Sequence, residues 1–239
     1  MNDLKIYRWA GFSGFAAIAL FFVEFPIYFL RGAFPSLADP LKLTNFIARN
    51  TTNVLTVVLL DMVIYCFFLV FLAGFRHLIR QTGPEHEWVA TLVFGIGLVY
   101  TTLTLVADSL EGTTALDALA ARADPSAIRA LTEAQFLLFG SVALILMALL
   151  MTAASYAILA SRALSRWSGW VGYVGAVVCL AFVPSMFCGA PDLTGFYNPA
   201  GWGPTGVAAG FPLAVWTIVV CISMIGKRPF VPAGISQPK

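Results

Sequence analysis

Apolar residues in this chain neither alternate nor keep to one narrow helical stripe; they run in long blocks separated by short polar breaks. Six blocks, at about residues 9–30, 53–75, 88–107, 135–159, 167–188 and 206–225, reach the roughly 20 residues that a helix needs to cross a hydrocarbon core of about 30 Å. Inside such a core only a helix or a closed barrel satisfies its own backbone, and strand alternation is absent. The pattern therefore predicts an all-α fold, an integral membrane bundle of six transmembrane helices forming a single domain over residues 1–239.

The breaks carry their own signals. Asp124-Pro125 reads as a helix start, with the carboxylate as cap and proline in the first turn, so the fourth helix begins well before its apolar run, with Arg129 and Glu133 in water. Residues 41–50 read as a short interfacial helix, and 189–204, rich in Gly, Pro and aromatics, as a lid over the bundle. Pro26, Pro184 and Pro212 read as kinks, and Gly95 and Gly97 as packing glycines.

Composition agrees with the pattern. Of 239 residues 59% are hydrophobic and 11% charged, against about 25% charged in soluble domains. The net charge of +2 gives no support to nucleic-acid binding. Nine Lys and Arg residues fall on the side of both termini and five on the other, which predicts both termini in the cytoplasm. Trp9, Trp88, Trp167 and Trp170 stand at that inner boundary. Cys66, Cys179, Cys188 and Cys221 form no CxxC pair and read as small apolar filler. His77 and His86 lie outside every span, which excludes bis-histidine haem ligation and HExxH chemistry. No cofactor and no metal is assigned.

Arg8-Trp9-Ala10-Gly11-Phe12-Ser13-Gly14-Phe15 recurs at an offset of 158 as Arg166-Trp167-Ser168-Gly169-Trp170-Val171-Gly172-Tyr173. Two readings are open: a pseudo-symmetric pair of helical hairpins gripping the third and fourth helices, or two independent interface anchors. The stretch 165–172, with Trp216 and the terminal Lys227-Arg228-Pro229, resembles a family of bacterial six-helix membrane proteins known as a domain of unknown function. Ser165 stands where that family leads one to expect proline. The resemblance implies a bacterial inner-membrane protein of this helix count, and no activity or site residue.

The acids gather at one depth. Asp39, Asp108, Glu111, Asp117, Asp124, Glu133 and Asp192 lie on the outer side, while Glu24 and Asp61 stand within spans, about 7 and 4.5 Å outward of their midpoints at roughly 1.5 Å per residue. Charge at that depth costs roughly 2.5–3.5 kcal/mol on insertion scales, so such a residue faces the bundle interior with a partner or a proton. Tyr28 and Tyr65 share a helical face with Glu24 and Asp61, and Thr101, Thr104, Asp108 and Glu111 form a stripe that Gln135 and Ser141 of the fourth helix are placed to face. The expected ligand-binding set is Glu24, Tyr28, Asp61, Tyr65, Tyr100, Thr104 and Asp108, lining an outer-half acidic cavity for a small amphiphilic, hydrophobic or cationic molecule that is bound or translocated.

Two other classes stand beside it. One is an intramembrane acid–base enzyme, a lipid or isoprenoid cyclase or isomerase, with Glu24, Asp61 and Asp108 as candidate catalytic groups. The other is an accessory subunit in which those carboxyls only hold helices together. The lipid bilayer is the one certain partner of such a chain; a homo-oligomer or a membrane partner is left open.

Overall fold

The computed structural model describes residues 3–120, 123–189, 191 and 195–227. All its regular elements are helical, with no strand among the described residues. The helices are α1 (Asp3–Leu30), α2 (Pro40–Arg80), α3 (Glu87–Asp117), α4 (Pro125–Leu137), α5 (Ala143–Ser161), α6 (Arg166–Phe182) and α7 (Phe211–Ile225). A widened π turn, Leu138–Val142, joins α4 to α5, so six continuous helical stretches are long and apolar enough to cross a membrane. The six predicted blocks fall within them, except that the fifth stretch closes at Phe187.

Several ends form as the local chemistry requires. The Asp124 carboxylate accepts the Ser126 N–H at 2.9 Å, with Pro125 in the first turn of α4. Asp39 caps α2 in the same manner through the Lys42 N–H, ahead of Pro40. α1 stops where Gly32 takes a left-handed φ of +79°, a conformation open to glycine at no steric cost, and that turn leaves Arg31 at the helix end.

Three expectations are corrected. Residues 41–50 are no separate interfacial helix but the opening turns of the 41-residue α2. Leu43 and Ile47 are buried there with Ala115, Ala118 and Ile128 in a small core between α2, α3 and α4, which holds the helix in line with the bundle. Of the three prolines only Pro26 interrupts a helix interior; Pro184 lies in the 3-10 turn that ends α6, and Pro212 in the first turn of α7, where its missing N–H is no loss. Gly97 packs against Leu72 as expected, but a side chain at Gly95 would meet open space.

The helices close into a ring: α1 packs on α2 and α7, α3 on α2, α4 and α5, and α6 on α5 and α7. One end of the ring is solid. Phe71 and Phe75 meet the buried Trp216 edge-on, at ring-centroid distances of 6.1 Å each. Gly11 and Gly14 bring α1 against Ile225, Cys221 and Phe71, while Gly169 and Gly172 bring α6 against Leu159, Ser155 and Trp216. Both copies of the repeated motif thus turn small residues inward and tryptophan outward, the arrangement that lets apolar helices approach without help from water. The hairpin α1–α2 packs on α3 and the hairpin α6–α7 on α5, so the middle helices lie between them, and the two hairpins also meet each other along α1 and α7. The first turns of α1 and Lys227, the last described residue, meet at this solid end, where Lys227 Nζ sits 5.3 Å from the Tyr7 ring. Cys179 and Cys221 are buried filler, whereas Cys66 and Cys188 are exposed.

Candidate functional site

At the other, acid-rich end the ring stays open around a cavity of about 490 Å³, within the range of small-molecule sites. Helical periodicity supplies its polar groups in stripes. Glu24, Tyr28 and Arg31 come from one face of α1, Asp61 and Tyr65 from α2, and Tyr100 and Glu111 from α3. The rest of the wall is largely apolar and includes Phe21, Phe25, Phe136 and Phe139 together with Gly206, Gly210 and Ala214.

The three carboxyls picked out from the sequence do converge. Asp61 lies between Glu24 and Asp108, near enough for its carboxyl to interact with both. A bond between two carboxyls exists only with a proton on one of them. Both Asp108 oxygens and Glu24 Oε1 are buried, and no amide, hydroxyl or cation among the described residues reaches them. The cluster is therefore short of positive charge, and its carboxyls can bond one another only through protons of their own.

Glu111 is arranged differently. Arg31 Nη1 donates to its Oε1 at 2.9 Å, Nη2 donates to the Asn53 carbonyl at 3.3 Å, and the guanidinium stands 4.4 Å from the Tyr28 ring centroid. The two side chains are only 7% and 9% exposed, so this is a buried ion pair. Gln135 of α4 lies beside Glu111. Arg31 had counted in the sequence only as a cation on the outer loop; the turn at Gly32 returns it to the cavity, and no local motif announces that.

Five of the seven expected binding residues line the cavity: Glu24, Tyr28, Asp61, Tyr65 and Tyr100. Thr104 and Asp108 do not. The Thr104 hydroxyl donates back to the Tyr100 and Thr101 carbonyls of its own helix, and Asp108, fully buried, stands behind Asp61. Ser141 bonds the Val183 carbonyl at 3.2 Å instead of facing the α3 stripe. Asp192, Arg122, Arg228 and Pro229 lie outside the described residues. Sequence reasoning passed over Thr217 on α7, a fully buried cavity residue whose hydroxyl has no partner. A lone threonine in an apolar block gives no signal above that of a helix-packing residue.

The described part of the predicted lid is folded onto the bundle. Tyr197 Oη donates to the Ala181 carbonyl at 2.6 Å, and Phe196 and Tyr197 pack on Phe182. Trp202 reaches the cavity. Tyr28 and Trp202 line the cavity while staying 44% and 64% exposed, so their rings rim its mouth. Exposed Phe29, Leu30 and Phe196 lie beside them. Among the described residues no group of three or more His, Cys, Asp and Glu side chains is placed to hold a metal ion.

No family model, curated protein or solved structure matches this chain.

Proposed function

We propose that the chain is a multi-pass protein of the bacterial inner membrane, with both termini in the cytoplasm, that binds or passes a small amphiphilic cation at this cavity. One observation carries the reading: Glu24 and Asp61, with no cation among the described residues paired to them, line an aromatic cavity whose mouth is rimmed by exposed rings. Carboxylates attract the charged head, aromatic faces add cation–π attraction, and an apolar rim suits entry of the tail from lipid. The large exposed apolar residues along all the spans, among them Phe12, Leu59, Val99, Leu149 and Val177, are what lipid would cover.

A second reading, acid–base catalysis on a lipid-like or isoprenoid substrate, draws on Glu24 and Asp61 in the cavity wall with Asp108 behind them, because a carboxyl that both gives and takes a proton at a cavity wall suits isomerisation. The two differ in what leaves the site, unchanged ligand or altered product.

The test is titration of the full chain in lipid nanodiscs with hexyltrimethylammonium, followed by Trp202 fluorescence, with Trp202→Phe as the blank and empty nanodiscs to subtract partitioning. Saturable binding weakened about 10–100-fold by Asp61→Asn, the loss of a charge-assisted contact, is the expected result. Equal affinity in the two chains, or no saturable change in the parent, overturns the reading.

A further inference from the structure

We infer that the cavity is an exchange site, in which an incoming cation displaces a proton shared between Asp61 and its neighbours Glu24 and Asp108. The inference rests on the proposed cation-binding role and adds what that role must do to the protons already there. It begins from charge. Among the described residues Arg31 is the cation facing this cavity, and Glu111 holds it. The remaining titratable groups around the cluster are Tyr28 on α1, Tyr65 on α2 and Tyr100 on α3, while α4 presents Gln135, and α7 presents Thr217. None of these supplies a positive charge to the three carboxyls.

Two further groups point to an occupant. Glu24 is only 3% exposed and its Oε1 has no donor, and in the same cavity wall the Thr217 hydroxyl is fully buried without a partner. Buried polar atoms left unpaired in a cavity wall call for a partner, which a molecule entering the cavity can supply.

The balance of the step follows from the cost of net charge in an apolar surround. A cation added to a fully protonated cluster would bring an uncompensated positive charge. Loss of the proton alone would leave an uncompensated carboxylate. Done together, the O–H bond of one carboxyl breaks, the proton passes to water at the mouth, and the carboxylate left behind pairs with the entering head. Total charge in the cavity is unchanged, so exchange is favoured over either half-step.

Hexyltrimethylammonium decides the question because a quaternary nitrogen carries no proton, so any proton released on binding comes from the protein. Calorimetry of the nanodisc-embedded chain at pH 7, in phosphate and in Tris, reads the release as a difference between the two binding heats. The expected result is about one proton per probe, with affinity rising about tenfold per pH unit wherever the cluster holds that proton. The double variant Glu24→Gln/Asp108→Asn gives Asp61 amide donors in place of shared protons, and is expected to bind with no proton release. Saturable binding with equal heats in both buffers overturns the exchange and leaves the cavity reading standing. Absence of saturable binding overturns both. Release by the double variant equal to that of the parent places the proton elsewhere and overturns the exchange at this cluster.

Discussion

The two ends of this bundle hold the same kinds of charged residue and use them in opposite ways. At the terminal end Glu87 meets Arg80 and, at 3.6 Å, Arg76, and Asp3 meets His77 at 3.1 Å, all partly exposed. At the acid-rich end Arg31 and Glu111 form a buried pair, and three more carboxyls have no cation among the described residues. The difference is made by the backbone beneath. Around the terminal end the glycines of α1 and α6 and the rings of Phe71, Phe75 and Trp216 fill the ring, which leaves its charges on the outside. Toward the other end the ring opens and side chains turn into the gap. A charge count is therefore silent on function here, and the geometry that hides or exposes each charge decides its role.

The largest effect expected from this contrast is at Arg31. Arg31→Met leaves Glu111 buried and without its cation, a loss of about 3–5 kcal/mol. Unfolding of the purified chain in a mixed micelle, followed by far-ultraviolet circular dichroism against denaturant, reads it directly. Adding Glu111→Gln is expected to restore most of the stability, since a neutral amide needs no counter-ion and still has Gln135 beside it. A single variant as stable as the parent would place Arg31 among the surface charges and erase the contrast.

The same contrast explains what could be read from the sequence. Depth along a helix is legible, because six apolar blocks fix which residues lie at one level, and that alone placed Glu24, Asp61 and Asp108 together. Local caps were legible too, as at Asp124. Direction around the helix was legible only in part: the stripe Thr101, Thr104, Asp108 and Glu111 does face inward, yet of these four only Glu111 lines the cavity. That distinction depends on how closely α2 and α3 pack, which no single helix encodes. Arg31 was missed because its inward course is set by one backbone turn at Gly32. Continuity of α2 through residues 41–50 was missed because the burial of Leu43 and Ile47 depends on Ala115, Ala118 and Ile128, more than sixty residues away.

At the terminal end the expected effect is smaller. Glu87 is 42% exposed, so Glu87→Gln is expected to cost about 0.2–1 kcal/mol despite its two arginine partners. The loss should shrink further between low and high salt, as screening removes what the pair contributes. Denaturation midpoints of parent and variant at two ionic strengths make the comparison. A salt-insensitive loss as large as that at Arg31 would mean that the two ends do not differ in kind.

Asp39 separates position from exposure, because it belongs to the acid-rich end yet stays in water. Its carboxyl accepts from the side chain of Lys42 at 3.0 Å and from the Lys42 backbone N–H at 3.1 Å, and these bonds hold its pKa below the ordinary carboxylate value. The sign follows from that direction: the contribution is complete above the unfolded-state value of about 3.9 and disappears as pH falls through the lower folded value. Asp39→Asn keeps an oxygen for the Lys42 N–H and removes only the charge. At neutral pH the variant should therefore match the parent in stability more closely than Glu87→Gln does. It should also lose the parent's acid-dependent change in Lys42 amide protection, read by hydrogen exchange across that pH range. A loss at neutral pH near that of Arg31→Met would tie the behaviour of a charge to its end of the bundle; a negligible one ties it to burial, and leaves the cavity carboxyls as the acids whose protonation the fold has to manage.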